Sequence, residues 1–346
     1  MPQKLSNRPN LCYARLNDLH CGQFVASADQ HTETIQAAIA GDGAARQPLV
    51  ASWQRSSLLH ELDPGHQRPP ERLTDQELRT AQEQVGLLIS TSEVSLDQLY
   101  LAVGDVGCSV VLADAHGVAI ARRGAPQDDE AFHQWGLWTG AVWSEKSEGT
   151  NGVGTCIVEE RPLTIHKDQH FHAKNTGLSC TAAPIFDHEG ELMAVVDVSS
   201  CRADLTAGFS RLISAAVVDT ARRIETDHFR ARFPAAKIIL ATDQDGQTAR
   251  TSAALLAVNG DDLVIGATRG ARTLYGLSKA DMKTARPLAS LQGQDIDQAK
   301  EYAMAEHRII QQALASSGGN VSAAARAMGI SRATLHRKLK KFGGPH

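Results

Sequence analysis

Most of what would make this 346-residue chain a membrane, secreted or nucleotide-hydrolysing protein is missing from it. No apolar run approaches the roughly 20 residues of a helical membrane span. The opening stretch, MPQKLSNRPNLCYARLNDLH, lacks the basic-then-apolar order of a secretory leader, so the expected location is the cytoplasm. The six cysteines (Cys12, Cys21, Cys108, Cys156, Cys180 and Cys201) form no CxxC pair, and in a cytosolic chain free thiols are expected. No GxxxxGK[ST] phosphate loop occurs, and there is no internal repeat. Basic charge is scarce outside the tail. From Glu301 onward seven Lys/Arg stand against two Asp/Glu, a net of +5, whereas the first 300 residues hold 28 against 37, a net of −9. An acidic body repels a polyanion, so DNA would be met by the tail alone. The 42% hydrophobic and 21% charged content is that of globular protein, and the length suits two or three domains.

The tail, NVSAAARAMGISRATLHRKLKKFG from Asn320 to Gly343, reads as two helices with a tight joint. Asn320 is a helix N-cap by residue type, and the Ala-rich stretch Val321 to Met328 allows close helix packing. Gly329 supplies the left-handed residue that ends a helix, and Ser331 caps the next one. That second helix carries Leu335 and Leu339 one turn apart, with Phe342 completing the apolar stripe. Its other face holds Arg332, Thr334, His336, Arg337, Lys338, Lys340 and Lys341. One apolar stripe opposite one basic face, after a short helix and a Gly turn, is the sequence form of a helix-turn-helix. Part of the charge also suits a helix C-terminus without any partner. Residues 306–343, through the words GGNVSAAARAMGISRATLHRKLKKFG, resemble the C-terminal DNA-binding module of the Fis family, which also ends bacterial enhancer-binding activators.

Upstream, helical periods are expected over Thr32 to Ala40 and over Leu49 to Leu62, with Val50, Trp53, Leu58 and Leu62 facing inward. DPGHQRPP, at 63–70, is a breaker. A capping box of Thr74 and Glu77 opens a helix running to about Leu101. The period then changes. Cys108 to Ala113 and Val118 to Arg122 form a hairpin around Asp114-Ala115-His116-Gly117. Further strands are expected at Thr155 to Glu159, Pro162 to His166, Ser179 to Phe186 and Leu192 to Ser199. Leu205 to about Phe233 is a long helix, with Leu205, Phe209, Leu212, Ala216, Ala221 and Ile224 near one side. It suits pairing with its own copy or packing on its own sheet equally well. Leu255 to Val258 and Leu263 to Gly266 read as a hairpin turned at Asn259-Gly260, with a short helix from Arg269 to Leu277.

The stretch from Trp53 to Asp204 is similar to the GAF sensor region of transcription activators of the acetoin/glycerol-metabolism type. The matching words are SWQRS, WSEKSEGTNGVGT, RPLTIHKDQHF, LSCTAAPIFDHEGEL and AVVDVS. ALLAVNGDDLVIGATRGARTLYGL looks like the PAS-like segment that follows in that family. The resemblance implies an α+β fold: a GAF-type antiparallel sheet with flanking helices, a PAS-like remnant and an all-α helix-turn-helix. The expected divisions are 1–48 arm and helix, 49–204 sensor, 205–233 signalling and dimerisation helix, 234–298 PAS-like segment and linker, and 299–346 DNA-binding domain. One departure is large. Those activators carry an AAA+ ATPase between sensor and tail, and here about thirty residues, from Leu277 to Glu306, fill that place. Neither a P-loop nor a GAFTGA-like loop for the sigma-54 polymerase is present, so regulation without ATP hydrolysis is expected.

In the tail, Arg332, Thr334, His336 and Arg337 are the expected groove contacts, since they lie in the first turns of the recognition helix. Asn320, Ser322, Ser331, Lys338, Lys340 and Lys341 are the remaining candidates for the DNA interface, chiefly at phosphates. A single recognition helix implies a homodimer, with Glu301 to Ser316 contributing Ile309, Ile310 and Leu314 to its interface. In the sensor, His166, His170, His172 and Cys180 are of types that bind metal or haem, but their spacing matches no closed-site pattern, and no cofactor is expected. Cys156 and Cys180, on neighbouring strand candidates, suit small buried hydrophobes or, alternatively, redox thiols. Trp135, Trp138, Trp143 and Phe171 flank the glycine-rich segment as core or as pocket. By the resemblance, a small-molecule pocket is placed near Trp143, Asn151, Thr155, Cys156, His166, Phe171 and Cys180.

These features imply a ligand-responsive regulator that binds double-stranded DNA as a homodimer and associates with the nucleoid when bound. RNA polymerase or a full-length AAA+ relative are candidate partners. Alternatives of other classes are a thiol enzyme resembling GAF-type methionine sulfoxide reductase, a redox or haem sensor, and a nucleoid-structuring protein of Fis type.

Overall fold

The structure, a computed structural model, describes residues 21–41, 47–104, 107–201, 207–242, 254–291 and 298–341. The chain divides into two compact units, Met1–Ala285 and Arg286–His346.

The first unit is built on an antiparallel sheet in the order β2-β1-β5-β4-β3, with β1 Cys108–Asp114, β2 Ala119–Arg123, β3 Leu163–His166, β4 Ser179–Phe186 and β5 Leu192–Ser200. All seven residues of β1 are buried, because both faces of the sheet are covered. The β1–β2 turn falls at the expected place: Asp114 Oδ1 accepts the backbone N–H groups of His116 and Val118, and Gly117 takes a φ of +84°.

On one face lie α4 (Gly86–Val103) and α8 (Ala207–Arg232), which bury Leu88, Leu96, Leu99, Ile213, Val217 and Ile224 against Val110, Leu112, Val196 and Val198. The other face is covered by the segment running from α5 (Asp129–Gln134) through Trp143 to α6 (Glu145–Glu148) and by α7 (Gly152–Glu159), with Phe132, Leu137, Val153, Cys156, Cys180 and Val195 in its core. Two further helices, α1 (Cys21–Ala40) and α2 (Pro48–Gln54), bring Ile35, Val50 and Trp53 onto Phe171.

Several expectations are corrected. Thr155 to Glu159 is not a strand. Asn151 caps a helix there, its Oδ1 accepting from the Gly154 N–H, and this overrides the β-branched residues. Cys156 therefore lies on α7, and only Cys180 on a strand. Leu58 points outward, 70% exposed, because α2 widens into a π-helical turn over Arg55–Leu59 that rotates the later residues. The helix opened by the Thr74–Glu77 capping box ends at Gln84 (α3, Asp75–Gln84), and α4 starts afresh after Val85. On α8, Leu212 is 67% exposed while Ile213, Val217, Ala221 and Ile224 are buried, so its apolar stripe packs on its own sheet and on α4. Leu205 lies outside the described residues. The thiols are free at Cys108, Cys156 and Cys180, whereas Cys201 is disulfide-bonded.

The same unit continues into β6 (Lys237–Leu240), β7 (Leu255–Val258), β8 (Leu263–Ala267) and α9 (Arg269–Tyr275). Phe229, at the end of α8, is buried with Leu255 and Ala257 and with the half-buried Phe233 and Ile238, and so ties this sheet to the long helix. The β7–β8 connection is wider than a two-residue Asn-Gly turn. Asn259 Oδ1 accepts from Asp261 and Leu263 N–H, and the left-handed residue is Asp262, at φ 57°.

The second unit holds three helices, α10 (Gln298–Ser316), α11 (Val321–Ala327) and α12 (Arg332–Lys341). Ile310, Ala324, Ala325 and Leu335 form its buried centre, with Leu314, Val321, Met328, Ile330 and Leu339 packed around them. Ile310 and Leu314 thus serve the module's own core and are not free for a dimer interface, whereas Ile309 is 55% exposed. Phe342 lies outside the described residues.

Candidate nucleic-acid interface and sensor interior

The second unit places the tail residues as its caps and turns dictate. Asn320 Oδ1 accepts from the N–H groups of Ser322 and Ala323 at 3.1 Å each, which starts α11. Gly329, at φ +66°, ends the turn. Ser331 Oγ accepts from Thr334 N–H at 3.1 Å and lies 2.8 Å from Thr334 Oγ1, which starts α12. Asn320, Ser331 and Thr334 therefore already have partners within the module.

Leu335 is buried, so the residues on the opposite side of α12, namely Arg332, Ala333, His336, Arg337 and Lys340, are exposed. Lys338 differs from the other cations. Its Nζ is ion-paired with Glu306 of α10, so it lies on the side facing the module's own core. The side chain of Lys341 lies outside the described residues. The sequence reading passed over Arg326, an exposed cation in the last turn of α11; the signal available was a cation two residues before the Met328-Gly329 joint.

In the sensor, the two most distinctive words meet in one buried polar knot. Ser52, Arg55 and Ser56 share a helical face at spacings of three and four residues. Arg55 Nε donates to Glu145 Oε2 at 2.8 Å and its second nitrogen donates to Glu145 Oε1 at 3.1 Å and Glu159 Oε1 at 3.1 Å. Ser52 Oγ donates to Glu145 Oε1 and lies 2.7 Å from Thr150 Oγ1. Thr155 Oγ1 donates to the same carboxylate at 3.3 Å. Glu145 is only 2% exposed, so this network is what permits a carboxylate there. The glycines make room for it: a Cβ on Gly154 would stand 2.7 Å from the Trp143 carbonyl oxygen.

The expected pocket residues are all buried or half-buried and engaged. Trp143 Nε1 donates to the Gly136 carbonyl at 2.9 Å. Asn151 Nδ2 donates to the Gly149 carbonyl at 2.8 Å. Cys156 Sγ donates to the Arg161 carbonyl at 3.4 Å. His166 Nδ1 lies 2.7 Å from Ser179 Oγ. Phe171 belongs to the cluster under α1 and α2.

Cys180 sits in a chain of buried groups: His170 Nε2 is 3.4 Å from its sulfur, Ser199 Oγ donates to that sulfur at 3.2 Å, and Ser199 also meets Asp197 Oδ2 at 2.6 Å. Burial pushes the Cys156 and Cys180 thiols far up, and the nearby Asp197 adds to it. Burial raises Asp197 to about 7 and lowers His170 and His172 to about 4. Near neutrality the thiols and the two histidines are thus uncharged, and Asp197 carries only part of a charge. Asp197 Oδ1 has no hydrogen-bond partner among the described residues. His170 and His172 diverge, since His172 Nδ1 contacts the Asp63 carbonyl at 3.0 Å. No group of three or more His, Cys, Asp or Glu is placed to hold a metal among the described residues.

Residues 302–342 match the bacterial regulatory protein Fis family, and residues 75–226 match the GAF domain. The chain carries a GAF domain followed by a Fis-type helix-turn-helix. Over 180 residues it is 36% identical to the acetoin catabolism regulatory protein of Cupriavidus necator, covering 49% of this chain and 27% of that protein. Over 154 residues it is 28% identical to the acetoin dehydrogenase operon transcriptional activator AcoR of Bacillus subtilis, covering 44% and 25%. Its tail is 41% identical over 58 residues to the DNA-binding protein Fis of Haemophilus influenzae, covering 16% of this chain and 59% of Fis. The chain thus spans about a quarter of the length of the acetoin regulators it matches. The solved E. coli DhaR(N)-DhaL complex contains a chain of related outline, with a TM-score of 0.49 at 16% identity, covering 73% of this chain and 87% of that one. The GAF match ends at residue 226, within α8, so the long helix belongs in part to the sensor and is not a separate piece.

Proposed function

We propose that this protein is a ligand-responsive transcription regulator, in which a small molecule held by the sensor unit changes how paired Fis-type modules bind double-stranded DNA, without ATP hydrolysis. The observation that carries the reading is the exposed face of α12, where Arg332, His336, Arg337 and Lys340 stand opposite buried Leu335 in the one net-basic part of an acidic chain. Arginine forks read guanine edges, and the lysine serves phosphates. Pairing is supported by Tyr302 and Ile309, seven residues apart on α10 and 70% and 55% exposed. RNA polymerase or an ATPase-bearing relative remain the natural partners for such a DNA-bound dimer. No resident cofactor is part of this reading. No helix among the described residues is long and apolar enough to cross a membrane.

A binding role is favoured over thiol catalysis because Cys156 and Cys180 are buried and held as thiols, whereas a nucleophilic cysteine needs a lowered pKa and access. Selection of bound sequences from random duplex DNA, with sedimentation of the complex, tests the proposal. Enrichment of a two-fold-symmetric site bound by two chains is expected. Uniform affinity for all sequences would favour a nucleoid-structuring role, and turnover of methionine sulfoxide by the full chain would favour the enzyme.

A further inference from the structure

Within the first unit, a cleft of 410 Å³ opens where the edge of the GAF sheet, the long helix α8 and the small helix α9 come together. It lies on the α8 side of the sheet, and Glu160 and Arg161, which follow the C-terminal end of α7, close one side of it. Its size is that of an ordinary small-molecule site. The walls are largely apolar, with Pro184 of β4, Ala221 of α8 and Leu274 of α9 among them.

The charged groups in the walls are unevenly matched. Arg269 is satisfied twice, pairing with Glu160 at 2.6 Å and lying 3.9 Å over the ring of Phe186. Arg161 pairs with Glu159 at 3.4 Å. Glu225 accepts the N–H of Phe186 at 2.8 Å, and its burial raises it to about 7, so it carries only part of a charge near neutrality. Arg222 has neither hydrogen bond nor ion pair among the described residues, although it is half-buried in the wall, and the nearby charge it feels is that of the partly protonated Glu225. A recessed guanidinium with its N–H groups unpaired, set in an apolar cleft, is suited to a carboxylate, which it can grip through two parallel hydrogen bonds.

We infer that this cleft is an effector site for a short-chain carboxylic acid, with the carboxylate on Arg222 and the carbon chain against Pro184, Ala221 and Leu274. The inference rests on the reading of the chain as an effector-responsive regulator. It also gives that reading a route. A ligand here touches β4, α8 and α9 together, so binding favours whichever arrangement keeps these three elements closed on one another.

The test is isothermal titration calorimetry on the full chain with sodium lactate and sodium 3-hydroxybutyrate, each beside its uncharged methyl ester. At least one acid is expected to bind saturably and tenfold or more tighter than its ester. Arg222→Gln should lower that affinity at least tenfold, and Arg222→Lys by less. Thr273→Trp, at the exposed rim of the cleft, should abolish binding while leaving the unfolding temperature unchanged. Acids that bind no tighter than esters, that bind Arg222→Gln equally well, or that do not bind saturably overturn the site. Fluorescence anisotropy with the selected DNA separates the two readings. If an acid bound through Arg222 leaves DNA affinity unmoved, the site stands and the regulatory reading fails. If DNA affinity responds to an acid equally in Arg222→Gln, the regulatory reading stands and the site fails.

Discussion

Replacing Arg55 by methionine tests whether the most distinctive words of the sensor are structural. Glu145 is 2% exposed, and Arg55 is the one cation paired with it among the described residues, through contacts of 2.8 and 3.1 Å. Removing the guanidinium leaves the carboxylate with the Ser52 and Thr155 hydroxyls and no charge partner. Orphaning one member of a buried pair costs about 3–5 kcal/mol. The Arg55 side chain is 27% exposed, so water reaches the site and the lower figure, about 3 kcal/mol, applies. For a unit of this size that is a fall of roughly 6–12 °C in the unfolding midpoint. The assay is calorimetric unfolding of Arg55→Met, Glu145→Gln and the double variant. The double variant removes both charges and should recover about half of the loss, which gives a coupling on the order of 1–2 kcal/mol. A midpoint for Arg55→Met within about 1 °C of the parent, or strict additivity in the double variant, would refute the reasoning.

On the tail, Arg332→Ala and Arg337→Ala should each cost about 1–3 kcal/mol on the selected site and less on random duplex, while Lys340→Ala weakens both alike, as anisotropy titrations on the two DNAs will measure. Lys338→Ala should lower the unfolding midpoint of the module more than its DNA affinity, since Lys338 is paired with Glu306. Cys156 and Cys180 should stay unlabelled by iodoacetamide at pH 8 until the protein unfolds, and rapid alkylation of either in the native chain, read by mass spectrometry, would restore a thiol chemistry. Asp197→Asn should become more stable relative to the parent as pH rises. The folded carboxyl titrates at about 7, above its unfolded value of 3.8, so its stabilising proton is bound below that window and lost through it. The difference should grow by about 1.4 kcal/mol per unit between roughly pH 4 and 7, and a pH-independent difference in urea midpoints would count against the buried acid.

How far the sequence could be read depended on whether a residue's role was local. Asn320, Gly329 and Ser331 act within three residues of themselves, and the structure has each doing what its type foretold. The same holds for Thr74 with Glu77 and for the Asp114 turn. Strand against helix failed at Thr155 to Glu159, where one cap at Asn151 outweighed the three β-branched residues Thr155, Ile157 and Val158. The partner of Lys338 was not visible because Glu306 lies thirty-two positions away on another helix. The sensor misled in a more general way. GTNGVGT invited a ligand because glycines and small polar residues line pockets, but here they admit a buried carboxylate from one side and a helix cap from the other. Ser52 and Arg55 showed the i, i+3 spacing of a shared helix face, yet their target, Glu145, is ninety positions further on. A family word can therefore mark the place where a fold is locked, and the group left unpaired can lie elsewhere. Arg222 is such a group. It sits in an unremarkable stretch of a long helix, and only the packing of α8 against β4 and α9 reveals that it lines a cleft with no hydrogen bond or ion pair among the described residues.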